Sequence, residues 1–284
     1  MIPPIVSPDW VLARRSDAAS GHRSDLVLAD VRHYLDGRSG LTAYGAAHIA
    51  GAVFVDLDAD LSDHEAPLEL GRHPFPDPDS FATAMGRLGI GDDTTVVAYD
   101  DSGGGSAARL VWMLRVIGHD AALLDGGLHA WPEPLVASAP PDSDPARFTP
   151  VAWPPARFVD AAEVFAAVER GATLLDARAP DRYRGEHEPI DARAGHIPGA
   201  RNAPWVENLA SDGRFASIDE LRSRYADHEP DHGAEIVCYC GSGVTACVDL
   251  LALEHAGYTG GRLYAPSWSG WSSDPERPAE FGAS

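Results

Sequence analysis

The chain has 284 residues, 44% hydrophobic and 23% charged, and a formal net charge of −21 from 43 acidic and 22 basic side chains. That length suits one large domain or two of ordinary size, and so negative a field repels nucleic acid and anionic membrane, which excludes both as expected partners. It also repels an anionic small molecule at long range, so any anion site must be locally basic. Three cysteines, two of them separated by one residue, make no disulfide framework. They suit a reducing compartment. Met1 to Trp10 has no signal-peptide pattern, and no apolar run approaches the roughly 18 residues of a membrane helix. A cytoplasmic protein is expected.

In chain order, the first half alternates short apolar strands with helical stretches. Strands are predicted at Val27–Val31, Ala52–Val55, Val96–Tyr99 and Ala122–Leu124, and helices at Ser7–Ala13, Asp79–Leu88 and Ser106–Ile117. A stretch rich in proline, serine and aspartate, 137–155, reads as a linker. The second half repeats the scheme, with strands at Thr173–Asp176, Ala200–Ala203, Ile236–Tyr239 and Arg262–Tyr264 and helices at Ala161–Arg170, Ile218–Tyr225 and Val244–Ala256. The tail from Ser272 to Ser284 is polar and expected to be loosely ordered. The halves match at an offset of roughly 140 to 150 residues. Asp30-Val31-Arg32 parallels Asp176-Ala177-Arg178, and Ala47-His48-Ile49-Ala50-Gly51-Ala52 parallels Gly195-His196-Ile197-Pro198-Gly199-Ala200. Strand–helix alternation implies an α/β fold with mainly parallel sheets covered by helices on both faces. Binding then belongs at the carboxyl ends of the strands.

Cys240 stands at such an end. The apolar run Ile236–Tyr239 hands over to Cys240-Gly241-Ser242-Gly243-Val244-Thr245-Ala246 and then to a helix. Gly241 and Gly243 let the backbone curl so that several N–H groups point inward, and the helix start adds partial positive charge. Both favour a cysteine thiolate, which is the nucleophilic form. Cys238 within the strand and Cys247 within the helix read as small core residues. Asp100 occupies the place of Cys240 in the first copy. A carboxylate is no sulfur nucleophile, so that copy is expected to be structural. Gly103-Gly104-Gly105 lacks the Lys-Ser/Thr of a phosphate loop, and Cys238-x-Cys240 does not fit zinc. No metal and no cofactor are expected. His48 and His196 sit in equivalent places in both copies, and structural roles are expected for them, as for Arg178.

The loop at 240–246 resembles the active-site loop of the 3-mercaptopyruvate sulfurtransferases of the rhodanese superfamily. Thiosulfate-using rhodaneses carry basic residues where Gly241 and Ser242 stand here, and Cys-x5-Arg phosphatases carry an arginine where Ala246 stands. The resemblance covers nearly the whole chain. It implies two tandem rhodanese-like domains: 1–136 inactive, 137–155 a linker, 156–284 catalytic. It implies sulfur transfer from 3-mercaptopyruvate through a Cys240 persulfide to a thiol, a thioredoxin-like protein or cyanide. The residues implied are Cys240, Ser242, His73 and Asp58 for catalysis, and Arg182, Arg193, Gly241, Gly243, Val244 and Thr245 for the substrate. Arg193 is the nearest candidate for a second substrate arginine, with Asp191 at the strictly counted position. A thiosulfate sulfurtransferase and a low-turnover persulfide carrier are the alternatives. Ala265-Pro266 precede Ser267-Trp268 where the family has Asp-Gly, a departure near the expected site.

Overall fold

The computed structural model describes residues 1–19, 26–141, 143–228 and 235–282. Its contacts group into two compact units. The first comprises Met1–Ser62, Pro76–Trp153 and Ser211–Phe215, and the second Asp63–Phe75, Pro154–Ala210 and Ala216–Ser284.

The first unit holds β1 (Ile5–Val6), α1 (Pro8–Ala19), β2 (Leu26–Asp30), α2 (Gly40–Ala46), β3 (Val53–Phe54), α3 (Leu57–Leu61), α4 (Pro78–Arg87), β4 (Thr95–Tyr99), α5 (Ala107–Val116) and β5 (Ala121–Leu124). Its five strands run in the order β1-β5-β4-β2-β3, and every ladder is parallel. β4 is buried along its length, as a central parallel strand covered by helices should be. Its Val97 and Tyr99 join Leu28, Tyr44, Ile49 and Trp131 in the core. Most of the expected linker belongs here too. Ala146 N–H donates to Gly86 O, and Asp92 N–H to Arg147 O. Residue 142 of that stretch lies outside the described residues.

The second unit holds α6 (Ala161–Glu169), β6 (Thr173–Asp176), α7 (Pro180–Tyr183), β7 (Arg201–Asn202), α8 (Ile218–His228), β8 (Ile236–Tyr239), α9 (Ala246–Ala256), β9 (Arg262–Leu263) and α10 (Ser267–Ser272). Its sheet runs β7-β6-β8-β9, again all parallel. The central β8 is wholly buried, and α9 is buried almost all round, so no polar stripe marks it. The predicted helix start at Val244 moves to Ala246, because Gly243-Val244-Thr245 stay in the loop. The tail differs more. Glu280 bridges to His196, and Trp271 Nε1–H donates to Pro278 O, so the tail is tied down as far as residue 282; residues 283–284 lie outside the described set.

The repeat extends to individual hydrogen bonds. Arg32 clasps Asp30 as Arg178 clasps Asp176, each pair 2.7 Å apart and buried. His48 stacks on Tyr44 and His196 on Tyr183, both at 3.8 Å between ring centres. Tyr99 OH accepts from Ile49 N–H, and Tyr239 OH from Ile197 N–H. The paired histidines and Arg178 therefore do the same structural work in both copies.

Candidate active site

β8 delivers Cys240 to the carboxyl edge of the second sheet, where it is 1% exposed. The loop that follows is held by α10. Trp268 N–H donates to Cys240 O and Ser269 N–H to Gly241 O, both at 2.9 Å. Cys240 N–H donates to Ser267 Oγ at 3.1 Å. Ser267 is the one non-glycine residue at positive φ among the described residues (φ 54°). It accepts a strained backbone that a β-carbon disfavours. Its hydroxyl then anchors the Cys240 N–H.

The N–H groups of Ser242, Val244, Thr245 and Ala246 have no acceptor among the described residues. The first unit shows what such a loop holds. There Asp100 accepts from Ser102 and Gly104 through one oxygen and from Ser106 and Ala107 through the other, at 2.8–3.0 Å. The loop that lost the cysteine fills its anion cradle with its own carboxylate. The loop that kept the cysteine leaves its donors open.

Around Cys240 the structure gathers some of the expected residues. His73 Nδ1 lies 2.8 Å from Ser242 Oγ, and both side chains are buried. Arg182 and Arg72 both reach the loop. A β-carbon on Gly241 would stand 3.2 Å from Arg72 Nη2 and 3.4 Å from Arg182 Nη1. Arg72 was not singled out by the sequence, although it adjoins His73 in Gly71-Arg72-His73-Pro74. That segment docks because Gly71 sits against Pro266 O with φ 89°, room that only glycine has, and because Arg72 N–H donates to Ser269 Oγ.

One expected residue, Arg193, stands elsewhere. The Nε, Nη1 and Nη2 of Arg193 donate to the carbonyls of Ser272, Arg277 and Asp274. The guanidinium fastens the C-terminal segment, and Arg72 takes the second arginine's place at the loop. Asp58 belongs to the first unit, half exposed, with a carboxylate oxygen 3.6 Å from His33 Nε2.

The arginines are matched by buried acids that the sequence did not reveal. Asp191 binds Arg72 through Oδ1 and Arg182 through Oδ2, and Glu188 chelates Arg182 while reaching Arg178. Burial pushes the Asp191 carboxyl up against the pull of Arg72. For Glu188 burial acts the same way, but hydrogen bonds from Arg182 and from Asp191 N–H outweigh it and hold the carboxyl below its ordinary range. Cys238 is fully buried, and desolvation, then the nearby Asp249, push its thiol well up, as suits an inert core cysteine.

Comparison with known proteins gives the family. The model of the rhodanese-like domain matches residues 7–133 and again 160–274. The chain is 44% identical to a Pseudomonas aeruginosa protein named "Probable 3-mercaptopyruvate sulfurtransferase", over 98% of this chain and 100% of that one. It is 41% identical to a Mycobacterium tuberculosis protein assigned as a thiosulfate sulfurtransferase, over 90% of each. The crystal structure of Escherichia coli SseA, a 3-mercaptopyruvate enzyme, superposes with a TM-score of 0.80 at 34% identity, covering 94% of this chain and 99% of that one. The chain belongs to the rhodanese-like family, with two copies of its domain. Within that family it is a sulfurtransferase. No helix among the described residues is long and apolar enough to cross a membrane.

Proposed function

We propose that the second unit moves sulfane sulfur from 3-mercaptopyruvate to a thiol through a persulfide on Cys240. The open N–H groups of Ser242, Val244, Thr245 and Ala246, in contrast to the equivalent donors of the first unit, which Asp100 fills, carry this reading. A cradle without its own anion is suited to an anionic sulfur.

The Cys240 thiolate attacks the donor's sulfur. The carbon–sulfur bond breaks, and pyruvate leaves as an enolate. The donor's thiol proton passes through Ser242 to His73, 2.8 Å away, and returns to the enolate carbon. Cys240 then carries a terminal persulfide sulfur, whose charge the loop N–H groups and the start of α9 stabilise. Arg72 and Arg182 seat the donor's carboxylate. An acceptor thiolate attacks the outer sulfur and restores Cys240. A thioredoxin-like protein suits the acceptor role, because it offers an exposed thiolate. A reducing, cytoplasmic setting fits three free, buried cysteines.

Thiosulfate is the second reading, favoured by the two arginines at the loop and by the Mycobacterium relative. Initial rates with the two donors, using dithiothreitol as acceptor, separate them. Faster turnover of 3-mercaptopyruvate with stoichiometric pyruvate, lost in Cys240→Ser, is expected. Turnover of thiosulfate alone would overturn the donor assignment.

A further inference from the structure

Arg72 and Arg182 are two like charges brought to one glycine, and they would repel each other without a counter-charge between them. Asp191 is that counter-charge. Its side chain is 2% exposed, and its two oxygens take one nitrogen from each arginine, Arg72 Nη1 and Arg182 Nη2. The remaining terminal nitrogens, Arg72 Nη2 and Arg182 Nη1, are the nearest to a β-carbon placed on Gly241 beside Cys240. Neither of those two has an acceptor among the described residues. The carboxylate thus fixes the two guanidinium planes and turns one N–H edge of each toward the cysteine loop.

The charges of the network also balance. Arg72, Arg178 and Arg182 face Asp176, Glu188 and Asp191, three cations against three carboxylates in one chain of contacts. The arginines offer donors to an anion without an excess of positive charge behind them. Such a site seats a single carboxylate by hydrogen bonds. It meets a dianion with two buried carboxylates behind the arginines and no surplus cation to compensate.

We infer that Asp191 is a specificity-determining residue, positioning Arg72 and Arg182 for a monoanionic α-keto acid donor and discriminating against dianionic donors such as thiosulfate. The inference rests on the proposed persulfide chemistry of Cys240 and adds to it what sets the choice of donor. Asp191 itself touches no reacting atom in this scheme. It acts through the arginines.

The test is single-turnover persulfide formation on the full chain, followed by intact mass, with 3-mercaptopyruvate and thiosulfate in parallel. The readout is the ratio of the two second-order rate constants. Asp191→Asn keeps the shape and one acceptor oxygen but removes the charge, and is expected to shift the ratio toward thiosulfate by roughly tenfold, the scale of one partly buried charge acting over a few ångströms. Removing the opposite charge as well, in Asp191→Asn with Arg72→Met, is expected to return the ratio toward that of the wild type although both rates fall. A residue that merely held the fold would slow both donors alike, and the second change would not reverse the ratio. An unchanged ratio in Asp191→Asn, with both donors still loading Cys240, overturns the inference and leaves the persulfide mechanism standing. If Asp191→Asn does not fold, the double variant decides: a ratio shifted away from that of the wild type overturns the inference. Failure of both donors to load the wild type overturns the mechanism itself.

Discussion

Gly241 has an ordinary backbone angle, so its lack of a side chain is a matter of space rather than of conformation. A methyl group there would press on the nitrogens of both Arg72 and Arg182. Gly241→Ala is therefore expected to fold normally and to raise the KM for the donor about tenfold, roughly 1.4 kcal/mol of lost arginine contact, with a smaller effect on kcat; initial-rate kinetics check this. An unchanged KM would mean that the arginines do not hold the donor. Residues of this kind differ in how far sequence discloses them. Cys240 could be read because a strand, two glycines and a helix surround it within a dozen positions. Arg72 could not, because its segment lies some 170 positions before the cysteine and is seated by Gly71 and Ser269. Arg193 was misplaced for a related reason. Counting along a loop does not say whether a guanidinium turns to a substrate or to backbone carbonyls, and here three carbonyls claim it.

Among the elements, α10 holds the Cys240 loop through its first residues. Ser267→Ala keeps the unfavourable backbone angle and leaves the buried Cys240 N–H without its acceptor. It is expected to cost about 1–3 kcal/mol and to lower the rate of persulfide formation. Ser267→Gly relieves the angle but not the lost bond, so it should lie between the wild type and the alanine variant in thermal unfolding. Equal melting temperatures for all three would remove the anchoring role. In the first unit, Asp100→Ala strands four N–H groups that the carboxylate now satisfies. It should lower the unfolding midpoint by several degrees, and Asp100→Asn by less. At this scale the central strands were legible from their apolar runs. The short helices α2, α3, α7 and α10 were not, because four to seven residues hold too few turns to show a period. The polar tail was misread for a different reason: its order comes from contacts to His196 and Arg193 rather than from its own composition.

For the whole molecule, the duplication explains why one architecture serves two ends. Both units keep the clasped Asp-x-Arg, the stacked histidine and the curled loop, but only the second has a cysteine at the head of that loop. Stability carries its own pH signature. Asp249 is fully buried beside Asn208, Tyr225 and Arg224, and burial pushes its carboxyl up to about 7, against the pull of Arg224. Because the folded-state value lies above the ordinary 3.8, the folded chain binds this proton more tightly than the unfolded chain does. The associated stability is full below about 4 and is lost as pH rises toward and through about 7. Asp249→Asn should therefore gain on the wild type between pH 5 and pH 8, by up to about 3 kcal/mol, read as a converging or crossing pair of unfolding midpoints. A parallel pair would contradict the assignment.

The most direct test of the division of labour between the copies is the intact mass of the protein after one brief exposure to 3-mercaptopyruvate. The expected result is a gain of one sulfur atom per chain, mapped to the peptide carrying Cys240, absent in Cys240→Ser and removed by a thiol. No gain, or a gain that survives in Cys240→Ser, would contradict the persulfide mechanism and the role given to the open cradle.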